Sequence, residues 1–343
     1  MSPPADVLKA YGFTALRIEV VSGGLINETY CVSSEGDKGT ALAALQRLHP
    51  VFDATVNLDI EALTNHIAMR GVATPMLLRT EEGDAFVEHQ GHVWRATTWL
   101  EGICHSRVSE PRIAEAGAGL VARFHRALNN YNYDFLFSRP GVHDTEAHLR
   151  KLANAQSAHG DALHAEAVLL RDKIAAHEKE LPVMPELPLR ICHGDLKISN
   201  LLFDESGVGL CLIDLDTMGK QTIAYELGDA LRSWGNPSGE DTATPAIDEA
   251  IVAAAGRGYS DAARGLLSDV EVRSVVTGLE TICLELAARF CLDAFEDCYF
   301  GWDDKRYASR RAHNLERARG QLALCHSVTE KRDRLQALWT RDF

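Results

Sequence analysis

His193-Gly194-Asp195-Leu196-Lys197-Ile198-Ser199-Asn200, followed after a hairpin by Ile213-Asp214-Leu215-Asp216, is the stretch from which this chain can be read. Its flanks, Arg190–Cys192, Leu201–Phe203 and Leu210–Ile213, are short apolar runs with the character of strands, so the polar residues fall on the turns between them. The spacing is H-x-D-x-x-x-x-N with a second aspartate at the end of a nearby strand. Phosphoryl transfer requires such a set: a carboxylate that orients and deprotonates an attacking hydroxyl, and oxygen ligands that hold magnesium against nucleotide phosphates. In that pattern Asp195 is the catalytic base, and Asn200 and Asp214 are the metal ligands. Singly, each serves equally well as a turn residue, a backbone cap or a hairpin closure. The joint spacing, between two apolar strands, carries the chemical reading.

Outward from this motif the chain divides in two. Before it, Leu16–Val21, Glu28–Ser33, Ala41–Leu48, Asp84–Glu88 and His92–Trp99 read as strands, with one helix, Leu58–Arg70, between the third and fourth. From Pro111 onward the pattern changes to amphipathic helices, among them Ile113–Leu128, Thr145–Ala155, Leu163–Leu181 and Leu279–Phe295, interrupted by the strand-rich island Leu189–Asp216. The division falls near Glu101-Gly102, giving a nucleotide-binding lobe over residues 1–100 and a catalytic and substrate-binding lobe over 101–343. A small β-rich lobe joined to a larger helical lobe that carries a polar hairpin predicts an α+β, protein-kinase-like two-lobe fold. Fold alone does not name the chemistry.

The smaller lobe offers candidates for the nucleotide. Gly23-Gly24 sits between two strands, where absent side chains let backbone N–H groups approach phosphate, or where an ordinary hairpin turns. Arg47 lies on the third strand near the usual place of a phosphate-binding Lys, with Glu61 on the following helix as its potential partner; strand alternation leaves Gln46 a competitor for the same role. Trp99-Leu100-Glu101 falls where the connection between lobes would offer backbone groups to adenine.

His-Gly-Asp-Leu-Lys-x-x-Asn with Ile-Asp-Leu-Asp resembles the catalytic loop and metal strand of the aminoglycoside phosphotransferase and choline kinase superfamily. Protein kinases would show His-Arg-Asp, Asp-Phe-Gly and a long activation segment. Here Asp216 is followed closely by Glu226-Leu227-Gly228-Asp229, which leaves no room for one. Gly24–Tyr30, Leu45–Leu48, Val93-Trp94-Arg95, Gly228–Arg232 and the stretch Ala288–Phe300 extend the resemblance towards N-acetylhexosamine 1-kinases. That resemblance implies magnesium, ATP as co-substrate, and phosphorylation of a free sugar at its anomeric hydroxyl. It further implies that Arg289, at the edge of the stripe Leu279, Ile282, Cys283, Leu286 and Phe290, contacts the sugar together with Tyr299. Asp216 is expected to serve metal or sugar, and Asp229 to brace the catalytic loop. Two departures stand out: the third strand lacks Lys, and Leu25 replaces a polar His of the hexosamine kinase pattern. Kinases of homoserine, choline, methylthioribose or aminoglycosides are the neighbouring readings, and a nucleotide-binding pseudokinase is a rival of another class.

Composition agrees with a globular enzyme. The 343 residues are 46% hydrophobic and 24% charged, enough for a large core. A net charge of −14 without any Lys/Arg cluster argues against a nucleic-acid partner, which needs a basic stripe. The eight cysteines contain no C-x-x-C pair, so they read as small core residues of a reducing compartment. Met1–Ala10 has no basic region leading into an apolar run, and no long apolar stretch occurs; a cytoplasmic protein with no membrane partner is expected. Oligomeric state is not legible.

Overall fold

The computed structural model describes residues 2–14, 16–21, 27–34, 41–138, 141, 143–156, 160–242 and 244–343. The amino-terminal half opens with helix α1 (Ala5–Ala10) and an antiparallel sheet of six strands: β1 (Leu16–Val20), β2 (Glu28–Ser34), β3 (Ala41–Arg47), β4 (Leu77–Leu78), β5 (Val87–His89) and β6 (His92–Thr98). The order is β1-β2-β3-β6-β4, with β5 pairing β6.

Period-two alternation gives the sheet two unlike faces. Tyr30, Val32, Ala43, Leu45, Trp94 and Ala96 are buried together with Val7 of α1 and Tyr11 just after it. The register Thr29↔Gln46↔Arg95 therefore belongs to the opposite, polar face.

Helix α2 (Val56–Met69) follows β3, and its apolar residues Val56, Ile60, Leu63 and Ile67 join the core of the helical half. The rest of the chain comprises β7 (Ile103–Cys104), α3 (Pro111–Leu128), α4 (Thr145–Ala153), α5 (Ala162–Glu178), β8 (Arg190–Cys192), β9 (Leu201–Phe203), β10 (Gly209–Leu212), β11 (Gly219–Gln221), α6 (Ile223–Trp234), α7 (Glu249–Ala263), α8 (Asp269–Glu296) and α9 (Arg310–Thr340). Strands β10, β9 and β7 form one small sheet, and β11 and β8 another. The arrangement is the expected α+β, protein-kinase-like one, a sheet lobe on a helical lobe.

Helix α8 is ten residues longer at its start than the stripe Leu279–Phe295 predicts. A capping box holds its first turn: Ser268 Oγ accepts from the Glu271 N–H while the Glu271 side chain accepts from the Ser268 N–H at 2.9 Å. Helices α6 and α8 meet where Gly228 faces Gly278; a Cβ on Gly278 would overlap the carbonyl of Ala224. This close crossing sets α6, directly behind the catalytic loop, against the helix that carries Arg289. All eight cysteines are free, five of them buried, at 192, 211, 283, 291 and 325. Among the described residues, no helix is long and apolar enough to cross a membrane.

Candidate active site

Strand β8 delivers the chain into the loop at His193. Gly194 takes φ +82°, and a Cβ there would collide with the Thr217 carbonyl oxygen, so only glycine lets the loop lie against the turn that follows Asp214. Two bonds stitch loop and turn together: Thr217 Oγ1 donates to the His193 carbonyl at 2.9 Å, and His193 Nε2 lies 3.0 Å from the Ile213 carbonyl.

The polar residues then converge. Asp195 Oδ2 accepts from Lys197 Nζ at 2.7 Å and from Asn200 Nδ2 at 3.1 Å, and the same amide donates to the Asp195 carbonyl at 2.9 Å. Both Asn200 bonds use its nitrogen, which leaves Oδ1 as the atom able to face a cation. Lys197 Nζ also lies 3.9 Å from Asp214 Oδ2. Asp214 itself is held in the left-handed region, φ 63° and ψ 60°. Its carboxyl is pushed above its ordinary value, first by loss of solvent and then by the charge of Asp216, with Lys197 working in the opposite sense. Burial opposes the Lys197 charge, yet Asp195 and Asp214 raise its pKa overall, so the ammonium stays protonated. Spacing alone gives Lys197 no role in the sequence; its place two residues after the base is the one signal that marks it.

The brace behind the loop is Glu226, not the expected Asp229. Buried in the first turn of α6, Glu226 accepts from the backbone N–H groups of His193 at 2.8 Å and Gly194 at 3.0 Å, and from Gln221 Nε2 at 2.8 Å. His125 Nε2 stands 3.3 Å from it, with the other ring nitrogen 2.9 Å from the Tyr259 hydroxyl. Burial alone would raise the Glu226 pKa, but His125, His193 and these hydrogen bonds bring it below the usual carboxylate value. Ligand atoms of His125, Cys192 and Glu226 lie within 4.8 Å of one another. Both nitrogens of His125 and both oxygens of Glu226 are already engaged by protein, so the cluster works as a brace. Asp229 sits one turn further along α6 and accepts from Arg232 Nε at 2.8 Å.

On the nucleotide side, Gly23 and Gly24 lie outside the described residues. The expected Arg47–Glu61 pair does not form. Arg47 shares the face of Trp94 and pairs with Glu28 across the strands, while Glu61 accepts from Arg79 Nε at 2.7 Å. Alternation instead puts Gln46 on the polar face, where its Oε1 accepts from Arg95 Nε at 2.8 Å. Asp216, expected near metal or sugar, is 1% exposed and engaged by Arg95 through both oxygens and by Asn27 Nδ2 at 2.6 Å. With those partners, its carboxylate faces the sheet lobe. Trp99 Nε1 donates to Glu101 Oε1 at 3.0 Å in the connection after β6.

On the helical side, Glu285 is fully buried and accepts from Thr145 Oγ1 at 2.6 Å, with His143 Nδ1 at 3.3 Å. Arg289 is one turn on, 3.6 Å from Glu285 Oε1 and 5.8 Å from the centroid of the Phe300 ring. Burial opposes the charge on His143, but Glu285 and then Asp229 lift its pKa above the ordinary value, while Arg289 acts against it. Asp229 falls below its ordinary value because Arg232, His143 and Arg289 outweigh burial. The loop after α8 is pinned by buried Asp293, whose carboxylate accepts from the N–H groups of Cys298, Tyr299 and Phe300 at 2.9, 2.7 and 2.9 Å. This arrangement turns Phe300 towards Arg289 and leaves Tyr299, the other residue expected to contact the acceptor, 62% exposed.

The chain is similar to known proteins over most of its length. A homoserine kinase of Methylobacterium nodulans is 29% identical over 68% of this chain and 67% of its own. The homoserine kinase of Methylocella silvestris is 30% identical over about half of each chain, 50% and 51%. An aminoglycoside phosphotransferase structure from Alicyclobacillus acidocaldarius superposes with a TM-score of 0.67 over 97% of this chain and 98% of that one at 17% identity, a likeness of fold. The chemistry is that of an ATP-dependent phosphotransferase with an alcohol group as acceptor. With residues 17–266 matching its pattern, the chain belongs to the phosphotransferase enzyme family.

Proposed function

We propose that this enzyme transfers the γ-phosphoryl group of ATP to the hydroxyl of a small amino-acid-like alcohol of the homoserine class. The observation that carries the reaction is the convergence of Asp195, Lys197, Asn200 and Asp214. Asp195, through Oδ1, the oxygen that Lys197 and Asn200 leave open, takes the hydroxyl proton as the alcohol oxygen attacks the γ-phosphorus; the bond to the β–γ bridging oxygen breaks, and ADP leaves with that electron pair. Lys197 holds Asp195 in place and neutralises charge on the transferring group. The Asp214 carboxylate and Asn200 Oδ1 are hard oxygen donors that fit magnesium, which when bound would neutralise the nucleotide phosphates.

The acceptor class rests on Arg289 and on the relatives. Among the described residues Arg289 makes no hydrogen bond; it has the 3.6 Å ion pair with Glu285, the ring contact and the nearby charge of Asp229. A guanidinium lying over an aromatic ring keeps its in-plane N–H groups for a forked partner, and a carboxylate is the partner that fits. Both curated relatives carry the name homoserine kinase, and homoserine offers a carboxylate. The hexosamine expected from the sequence has none, and the relatives lend it no support.

An ADP-release assay with magnesium and ATP over homoserine, ethanolamine, choline and N-acetylhexosamines tests this reading. Turnover of homoserine, with a product phosphorus signal coupled to two methylene protons, is expected. Turnover confined to reducing sugars, with coupling to an anomeric proton, would overturn the acceptor class.

A further inference from the structure

The cation that joins the two lobes comes from an unexpected strand. Where a third-strand Lys would stand, β3 offers Gln46, and the charge is supplied by Arg95 on the neighbouring strand β6. Arg95 is 2% exposed and every arm of its guanidinium is committed. Nη1 and Nη2 grip the two oxygens of Asp216, the second at 2.8 Å; Nε donates to Gln46 Oε1 at 2.8 Å, and Nη1 reaches Asn57 Oδ1 at the start of α2 at 3.5 Å. On the far side, Asn27 donates to Asp216 Oδ2 at 2.6 Å and accepts from the His49 N–H at 2.9 Å. Strands β2, β3 and β6 and helix α2 are thus tied to a single carboxylate.

That carboxylate belongs to the short turn Leu215–Thr217, which starts at left-handed Asp214 and whose last residue bonds the His193 carbonyl. A bidentate Arg–carboxylate pair fixes orientation as well as distance. A left-handed non-glycine backbone persists only where its surroundings over-determine it.

We propose that Arg95 is a positioning residue for phosphoryl transfer: through Asp216 it sets Asp214 from the opposite lobe, so that the metal-binding turn and the sheet are assembled together before nucleotide arrives. The proposal rests on Asp214 being the nucleotide-metal ligand. It predicts that damage to the pair is felt in the nucleotide-metal parameters and not in recognition of the acceptor.

Calorimetric binding of a non-hydrolysable ATP analogue with magnesium separates the two levels, because it needs no acceptor. If the intact enzyme fails to bind the analogue, the underlying nucleotide reading fails. If it binds, Arg95→Lys, which keeps the charge but loses the fork, should weaken analogue affinity and raise half-saturating magnesium by about 10- to 100-fold, the range for residues that orient a metal ligand. Asp216→Asn should do the same, the double variant should be no worse than either single one, and the acceptor KM should stay within about twofold. Affinity and magnesium requirement unchanged in a folded Arg95→Lys protein, or additive losses in the double variant, would overturn the proposal. Should Arg95→Lys fail to fold, Asn27→Ala, which removes one bond to Asp216 and leaves the ion pair, decides the matter: a smaller shift in the same nucleotide-metal parameters supports it, and an unchanged magnesium requirement overturns it.

Discussion

The ammonium of Lys197 lies 2.7 Å from Asp195 Oδ2 and also stands 3.9 Å from Asp214 Oδ2, so one cation spans the proposed base and the proposed metal ligand. Two carboxylates facing one cleft repel each other. Lys197 relieves that repulsion and still has donors to spare for a phosphoryl oxygen. Lys197→Met should therefore lower kcat by about 10²- to 10³-fold, the loss seen on removal of one preorganised donor. Steady-state kinetics with saturating magnesium and ATP check it; a kcat within a few-fold of the parent would remove Lys197 from the transfer step.

Asn200→Ala and Asp214→Ala each take an oxygen from the cation site. Half-saturating magnesium should rise at least about tenfold in both, and more for Asp214, which removes a charge as well as a ligand. Activity titrated against magnesium at fixed ATP measures the shift.

Glu226→Gln keeps the shape of the brace but cannot accept from His193 and Gly194 with both atoms. A stability loss of about 1–3 kcal/mol is expected, because one buried N–H is left unpaired. The pH dependence has a definite sign. The folded pKa of Glu226 lies below its ordinary value, so its stabilisation is complete above the unfolded value of about 4.3 and is lost as pH falls towards the folded one. Thermal midpoints followed from neutral to acidic pH should fall more steeply below that point for the parent than for Glu226→Gln.

Arg289→Ala should cut kcat/KM for the acceptor by roughly 5- to 150-fold, the range for one buried polar partner left unpaired, and barely move the KM for ATP. Arg289→Lys should recover only part of the loss, since an ammonium cannot reproduce the fork. Kinetics with each substrate varied in turn distinguish this from a general loss of folded enzyme.

Much of the architecture was legible because local chemistry and global fold agree there. The loop from His193 to Asn200 and the strands around it are contiguous in sequence, so spacing alone gathers Asp195, Asn200 and Asp214. Strands β4, β7 and β11 span only two or three residues each, too few for alternation to show. The candidates that moved did so for three reasons. Arg47 and Gln46 turned on which face of β3 meets the core, and that was decided by Leu45 and Trp94 packing with α1, a contact the strand does not encode by itself. Asp216 is separated from Arg95 by 121 residues, and nothing local announces the pair. Glu226 displaced Asp229 because a helix places positions three apart on neighbouring faces but one turn apart along its axis, and only the crossing of β8 selects the earlier one.

Asp195→Asn tests the central claim most directly. The amide preserves the shape of the side chain and abolishes the proton acceptor. Single-turnover transfer from enzyme-bound, γ-labelled ATP to homoserine should fall by about 10²- to 10⁴-fold, the usual contribution of a positioned general base, while calorimetric affinity for a non-hydrolysable ATP analogue with magnesium stays close to that of the parent. Transfer at the parental rate would contradict the assignment of Asp195 as the base.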